Sequence, residues 1–219
     1  LIRICVSILP KTIDEALVLF KKAESLQVDF IEVRLDHLRT INKLNELISH
    51  RKTPLIATDR EKKNESERKS RLLEAAHLGF DYVDVDLSSP KLQNFVSEAK
   101  ASGSKCIVSS HDMNKTPSIK ELNRILEREV SSGADVYKIV TSANKIGDNL
   151  TLLQFVQSIS IKKKPVCFAM GELGRMSRLL SPAFGSFFTF ASLESGRETA
   201  SGQMSVQEMR AVYELLGIQ

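Results

Sequence analysis

The sequence predicts a single α/β domain, a (β/α)8 TIM barrel spanning residues 1–219. Three observations carry that reading. Eight short apolar segments alternate with eight amphipathic ones along the 219 residues, with strand starts about 25 to 30 residues apart, as parallel βαβ units require. The first strand runs into "SILPKTIDEA", which has no glycine, whereas a doubly wound open sheet places a glycine-rich phosphate turn there. Several strands also alternate polar and apolar residues, while strands covered on both faces read as continuous apolar runs. No linker rich in Pro, Gly or Ser divides the chain, and no sequence repeat accompanies the rhythm of its units.

Each unit is legible in order. "RICVSI" (3–8) precedes a helix from Thr12 to about Ser25, where Thr12 and Glu15 read as a capping box. "FIEVRL" (30–35) precedes "INKLNELISH" (41–50). "LIAT" (55–58) precedes a charged loop and a helix over Ser66–Leu78, stopped by Gly79. "YVDVDL" (82–87) precedes Pro90–Ser102, and "CIVSSH" (106–111) precedes Ser118–Val130. "DVYKIV" (135–140) precedes Asn149–Ile159, "VCFAM" (166–170) precedes Met176–Leu180, and "FFTFA" (187–191) precedes Ser205–Leu215. In "IEVRLD", Glu32, Arg34 and Asp36 share one face and Ile31, Val33 and Leu35 the other. An apolar face against outer helices and a polar face into the barrel explains such alternation.

Composition narrows the function classes. Hydrophobic residues make up 42% of the chain, enough for a sizeable core, and the net charge is +4. A mildly basic balance suits a small anionic substrate. The basic run Lys162–Lys164 lacks an aromatic platform and reads as a solvated end, so no nucleic-acid partner is expected. No apolar segment reaches membrane-spanning length, and "LIRICVSILP" lacks the apolar region and cleavage site of a secretory leader. Cys5, Cys106 and Cys167 have no metal-ligand spacing and read as buried, reduced thiols of a cytoplasmic protein.

Lys138 stands out because a lysine almost never enters a core unless it is paired or used. It lies near the C-terminal end of the sixth strand, where barrels keep their catalytic groups. A desolvated amine can act as a nucleophile; a structural ion pair with Glu32 or an inward aspartate is the other reading, and position alone leaves both open. His111 ends the neighbouring fifth strand and could shuttle protons, or it is a hydrogen-bonded core histidine. Arg34 and Arg178 suit a carboxylate, since "GELGRMSR" does not form a phosphate cradle; a surface charge at a helix end is the other reading of Arg178. "ESGRETASGQMSV" reads as a loop over the barrel mouth, with Thr199, Ser201 and Gln203 as hydrogen-bonding groups, or as a plain connector. Asp84, Asp86 and Asp112 are acidic strand-end residues with no histidine cluster beside them, so no metal site is expected.

These segments together resemble the type I 3-dehydroquinate dehydratases, the Schiff-base enzymes of the shikimate pathway. The resemblance rests on "EVRLD" (32–36), "DVDL" (84–87), "IVSSHD" (107–112), "KTP" (115–117), "GADVYKIV" (133–140), "MGELGRMSRLLSPAFGS" (170–186) and "TASGQMSV" (199–206). It implies that Lys138 forms an imine with the ketone of 3-dehydroquinate. His111 would remove the C2 proton and protonate the leaving hydroxyl, with Glu32 beside the lysine. Arg34, Arg60, Arg178, Thr199 and Gln203 would bind substrate, and Asp36 would support the arginines. The resemblance implies no cofactor and no metal, and a homodimer is the expected assembly. In the loop "DREKKNESE", Asn64 or Glu65 falls near the place of a family glutamate that touches the catalytic histidine. A sugar-phosphate aldolase and a non-catalytic barrel are the competing classes. The first needs a phosphate cradle, and the second would have lost Lys138, His111 or Glu32.

Overall fold

Eight parallel strands form one sheet in the order β7-β6-β5-β4-β3-β2-β1-β8. They are β1 (Ile4–Ile8), β2 (Phe30–Arg34), β3 (Leu55–Thr58), β4 (Tyr82–Asp86), β5 (Lys105–His111), β6 (Val136–Ser142), β7 (Pro165–Met170) and β8 (Thr189–Ala191). The helices are α1 (Ile13–Ser25), α2 (Asn45–Ser49), α3 (Glu65–Leu78), α4 (Leu92–Ala101), α5 (Ile119–Ser131), α6 (Gly147–Ile159), α7 (Arg175–Leu180) and α8 (Val206–Leu215). The structure is a computed structural model, and it describes residues 2–49, 51–61 and 64–218. Among these, β7 and β8 share no ladder. Their seam is joined by Phe187 N donating to Pro165 O (2.6 Å) and Gly171 N to Ser201 O (3.2 Å). The result is a near-closed (β/α)8 barrel.

The alternation sorts each strand as the sequence predicts. Ile4, Val6, Ile8, Ile31, Val33, Leu55, Ala57, Val83, Val85 and Val108 join the layer shared with the helices. Cys5, Phe30, Ile56, Tyr82, Ile107, Val136, Val166 and Phe188 form a second cluster inside the barrel. Each fully buried aliphatic or aromatic side chain contributes roughly 1.5–3 kcal/mol. A one-residue slip would turn a whole strand inside out, so this pattern pins the register.

A short repeat does run through the chain, contrary to the sequence reading. Asp29, Asp81 and Asp135 each precede an even-numbered strand. Each accepts a backbone N–H from the start of the preceding odd strand: Ile4 (2.8 Å), Leu55 (2.8 Å) and Cys106 (2.9 Å). Three positions after each aspartate stand Glu32, Asp84 and Lys138. Barrels fill their interior in layers of four side chains drawn from alternate strands. Here one layer holds Glu32, Asp84 and Lys138, with Phe190 of β8 as its fourth member under the lysine ammonium, 4.4 Å from the ring centroid. The repeat escapes notice in the sequence because only its aspartates match.

Element ends differ in informative ways. The eighth strand is only Thr189–Ala191, because Phe187 gives its N–H across the seam to Pro165. The second helix is reduced to Asn45–Ser49, and His50 lies outside the described residues. Thr12 does accept from Glu15 N (3.2 Å), but the Glu15 carboxylate takes the Lys11 N–H (2.7 Å), so the box does not close on Thr12. Complete capping boxes start α5 at Ser118 and α8 at Ser205.

Candidate active site

The C-terminal strand ends open into a cavity. Its floor is the charged layer. Lys138 is 5% exposed, and its Nζ donates to Asp84 Oδ2 at 2.8 Å and lies 3.7 Å from Glu32 Oε1. The next layer up supplies hydroxyls from odd strands. Ser7 and Thr58 both donate to Glu32, Thr58 at 2.8 Å, and Ser109 donates to Asp84 Oδ1 at 2.6 Å. No charge on the floor is left without a partner, which a buried ion group requires. Lys138 has the ion pair that one reading of the sequence expects, and it also lines the cavity.

Cations rim the cavity. Arg34 grips Asp36 bidentately (2.9 and 2.7 Å), with Asp36 on a 3-10 turn just past β2. Arg60, in the loop after β3, donates through one nitrogen to Asp84 (2.8 Å) and Ser109 (3.0 Å), and its other terminal nitrogen has no partner. Arg178 on α7 is 2% exposed and stacks 4.3 Å from the Phe168 ring centroid. It has no carboxylate partner among the described residues. One nitrogen reaches Ser201 O at 3.4 Å, and Nε is unpaired. Burial lowers its pKa to about 10, still charged at neutral pH.

His111 ends β5 and lines the same cavity. Ser109 pairs in register with Lys138, which sets His111 one inward position nearer the mouth. Burial, then the charges of Arg60 and Lys138, push the imidazole well below its ordinary pKa. Its ring nitrogens form no hydrogen bond among the described residues. Neither Asn64 nor Glu65 orients it: Asn64 caps α3 through Glu67 N (3.1 Å), and Glu65 pairs with Arg68. The loop between β8 and α8 closes the top. There Gln203 Oε1 accepts from Thr199 N (2.7 Å) and Oγ1 (3.1 Å), and both residues line the cavity.

Of the nine residues to which the resemblance gives roles, Glu32, Arg34, Arg60, His111, Lys138, Arg178, Thr199 and Gln203 line one cavity, and Asp36 sits behind it on Arg34; Ser201 does not line it. Asp84 was missed as a site residue. It read as a strand-end acid, although its place in the same inward series as Glu32 was a usable signal. None of Asp84, Asp86 and Asp112 lines the cavity itself; Asp84 lies beneath it, bonded to Lys138. No group of three or more acidic, histidine or cysteine side chains among the described residues could hold a metal ion.

Fold and site together define a (β/α)8 barrel with a cation-rich cavity at the strand ends where barrel enzymes work. The chain belongs to the type I 3-dehydroquinase family, whose model matches residues 4–219. It is 38% identical over 200 residues to a 3-dehydroquinate dehydratase of Dehalococcoides mccartyi, covering 88% of this chain and 87% of that protein. It is 33% identical over 221 residues to the chloroplastic bifunctional 3-dehydroquinate dehydratase/shikimate dehydrogenase of Arabidopsis thaliana, covering 96% of this chain and 36% of that protein. A solved type I 3-dehydroquinate dehydratase from Clostridium difficile, carrying covalently modified comenic acid, superposes with a TM-score of 0.85. That pair is 27% identical, over 98% of this chain and 91% of the other.

Proposed function

We propose that Lys138, His111 and the arginines of the rim carry the family's reaction on this chain. The activity is that of a 3-dehydroquinate dehydratase, a lyase of the shikimate pathway to chorismate and aromatic amino acids. Lys138 condenses with the substrate ketone, and the iminium becomes an electron sink for the adjacent carbon. His111, neutral through burial, removes the C2 proton. The enamine expels the β-hydroxyl, which leaves as water with the proton His111 returns, and hydrolysis frees the lysine. One group serves as base and then acid, which suits a syn elimination.

The observation that carries this reading is Arg178, a buried guanidinium with an unpaired Nε and no carboxylate of its own. Such a group needs an anion, and the substrate carboxylate supplies one within reach of the cavity. Arg34, Arg60, Thr199 and Gln203 address the hydroxyls, with Asp36 steadying Arg34. Borohydride reduction in the presence of 3-dehydroquinate, followed by mass spectrometry, tests the amine. The expected result is one adduct on Lys138, and none with Lys138→Ala, which still binds substrate. Turnover by Lys138→Ala would overturn the role of Lys138.

We further propose that the chain works as a homodimer. Met113, Ile119, Ile146, Leu150, Leu173 and Met176 are exposed apolar side chains gathered at the starts of α5, α6 and α7. Asn144 to Asn114 O and Asn149 to Leu173 O, at 2.8 and 2.7 Å, tie these segments together. Exposed Lys115 and Lys120 border the patch on the α5 side, and the Glu172–Arg175 ion pair borders it on the α7 side. A two-fold axis through α6 lays one end on the other and covers the apolar centre. No helix among the described residues is long and apolar enough to cross a membrane.

A further inference from the structure

Asp84 has no part in the scheme above, yet it is the carboxylate nearest the amine. It is fully buried and takes three donors. Lys138 Nζ reaches Oδ2 at 2.8 Å; Arg60 and Ser109 reach Oδ1 at 2.8 and 2.6 Å. Burial alone would raise its pKa, but Arg60 and then Lys138 outweigh that and hold the carboxyl well below the usual range. Asp84 is therefore a permanent anion. Its charge also acts on Arg34 of β2, His111 of β5, Cys5 of β1 and, from the helix layer, Glu129, and it shares Lys138 with Glu32 of β2.

Imine formation redistributes the hydrogens of the lysine. The ammonium and the ketone give an iminium and water. Two of the three ammonium hydrogens leave with the ketone oxygen, and the third stays on the nitrogen. The positive charge therefore stays on that nitrogen in a site of low dielectric, where it needs a fixed partner. Glu32 is poorly placed for this. It lies 3.7 Å away, and both its oxygens already accept hydroxyls, from Ser7 and Thr58. Oδ2 of Asp84 accepts only from Lys138 among the described residues.

We infer that Asp84 is the counter-ion of the Schiff base, holding the one remaining N–H of the iminium and keeping the imine protonated so that it can act as an electron sink. Arg60 and Ser109 aim the carboxylate by holding its other oxygen. This rests on the assignment of Lys138 as the amine that forms the imine.

The test uses the full chain with Asp84→Asn, trapped with borohydride and 3-dehydroquinate between pH 6 and 9. Removing the anion lowers the pKa of the imine, so the protonated fraction falls at high pH and returns as the pH is lowered. The expected result is a trapped fraction reduced about tenfold at pH 8 and restored toward pH 6, with kcat down on the order of 10²-fold. Wild-type protein traps across the range. An Asp84→Asn profile that overlays the wild type overturns the counter-ion while leaving Lys138 in place; no trapping by the wild type overturns both. If Asp84→Asn does not fold, Ser109→Ala removes one of the bonds aiming the carboxylate. It should shift the profile the same way by a smaller amount, and an unshifted profile overturns the inference.

Discussion

At pH 7 the imidazole of His111 is neutral, because burial and the neighbouring Arg60 and Lys138 disfavour its charged form. A general base is lost as pH falls through its own pKa, so a depressed value moves that loss to lower pH. The acid limb of kcat/KM should accordingly lie well below pH 6.5, the ordinary histidine value. A limb at or above 6.5 in a steady-state pH profile would remove His111 from the role of base. At this scale the sequence was informative where a charge broke an apolar strand, as Lys138 does in "DVYKIV". It was silent on pairing, since the Lys138–Asp84 bond joins residues 54 positions apart. It was equally silent on Glu129, a fully buried carboxyl on α5 whose two oxygens lack partners and whose pKa burial pushes up.

Among the elements, the loop between β8 and α8 depends on one close approach. Gly202 has φ +77° and lies directly against the backbone of Gly171, where a Cβ would collide with the Gly171 carbonyl. Ser201 O accepts from both Gly171 N and Arg178, so this contact also sets the loop over the arginine. Gly202→Ala should lift Thr199 and Gln203 from the cavity and lower kcat/KM by about tenfold or more, because a small misplacement in a site costs heavily. Thermal melting should show that the barrel itself stays folded. An unchanged kcat/KM in the folded variant would show that the loop position does not matter. The sequence showed this segment as small and polar but could not choose between a connector and a cover. That choice lies in a contact between two distant glycines. It also overran the eighth strand, because apolar Phe187 and Phe188 look like strand residues whether or not they join a ladder.

For the whole molecule, the eight-unit rhythm was legible because strand and helix periods are local. The open seam between β7 and β8 was not, since it depends on how far the sheet must curve to close. The apolar patch around α6 escaped notice for a related reason, as its members come from the starts of three separate helices and the segments before them. Sedimentation equilibrium should give a two-chain mass, and Leu150→Asp should halve it without changing the circular dichroism. A single-chain mass in the wild type would sink the dimer.

The charged layer draws Glu32, Asp84, Lys138 and Phe190 from strands spread across almost the full length of the chain. No early fragment leaving the ribosome holds more than part of it, and the fourth member comes only with the last strand. The amine cannot acquire its native surroundings before the barrel is nearly shut. On the proposed role of Lys138, capture of a ketone would serve as a chemical clock for the end of folding.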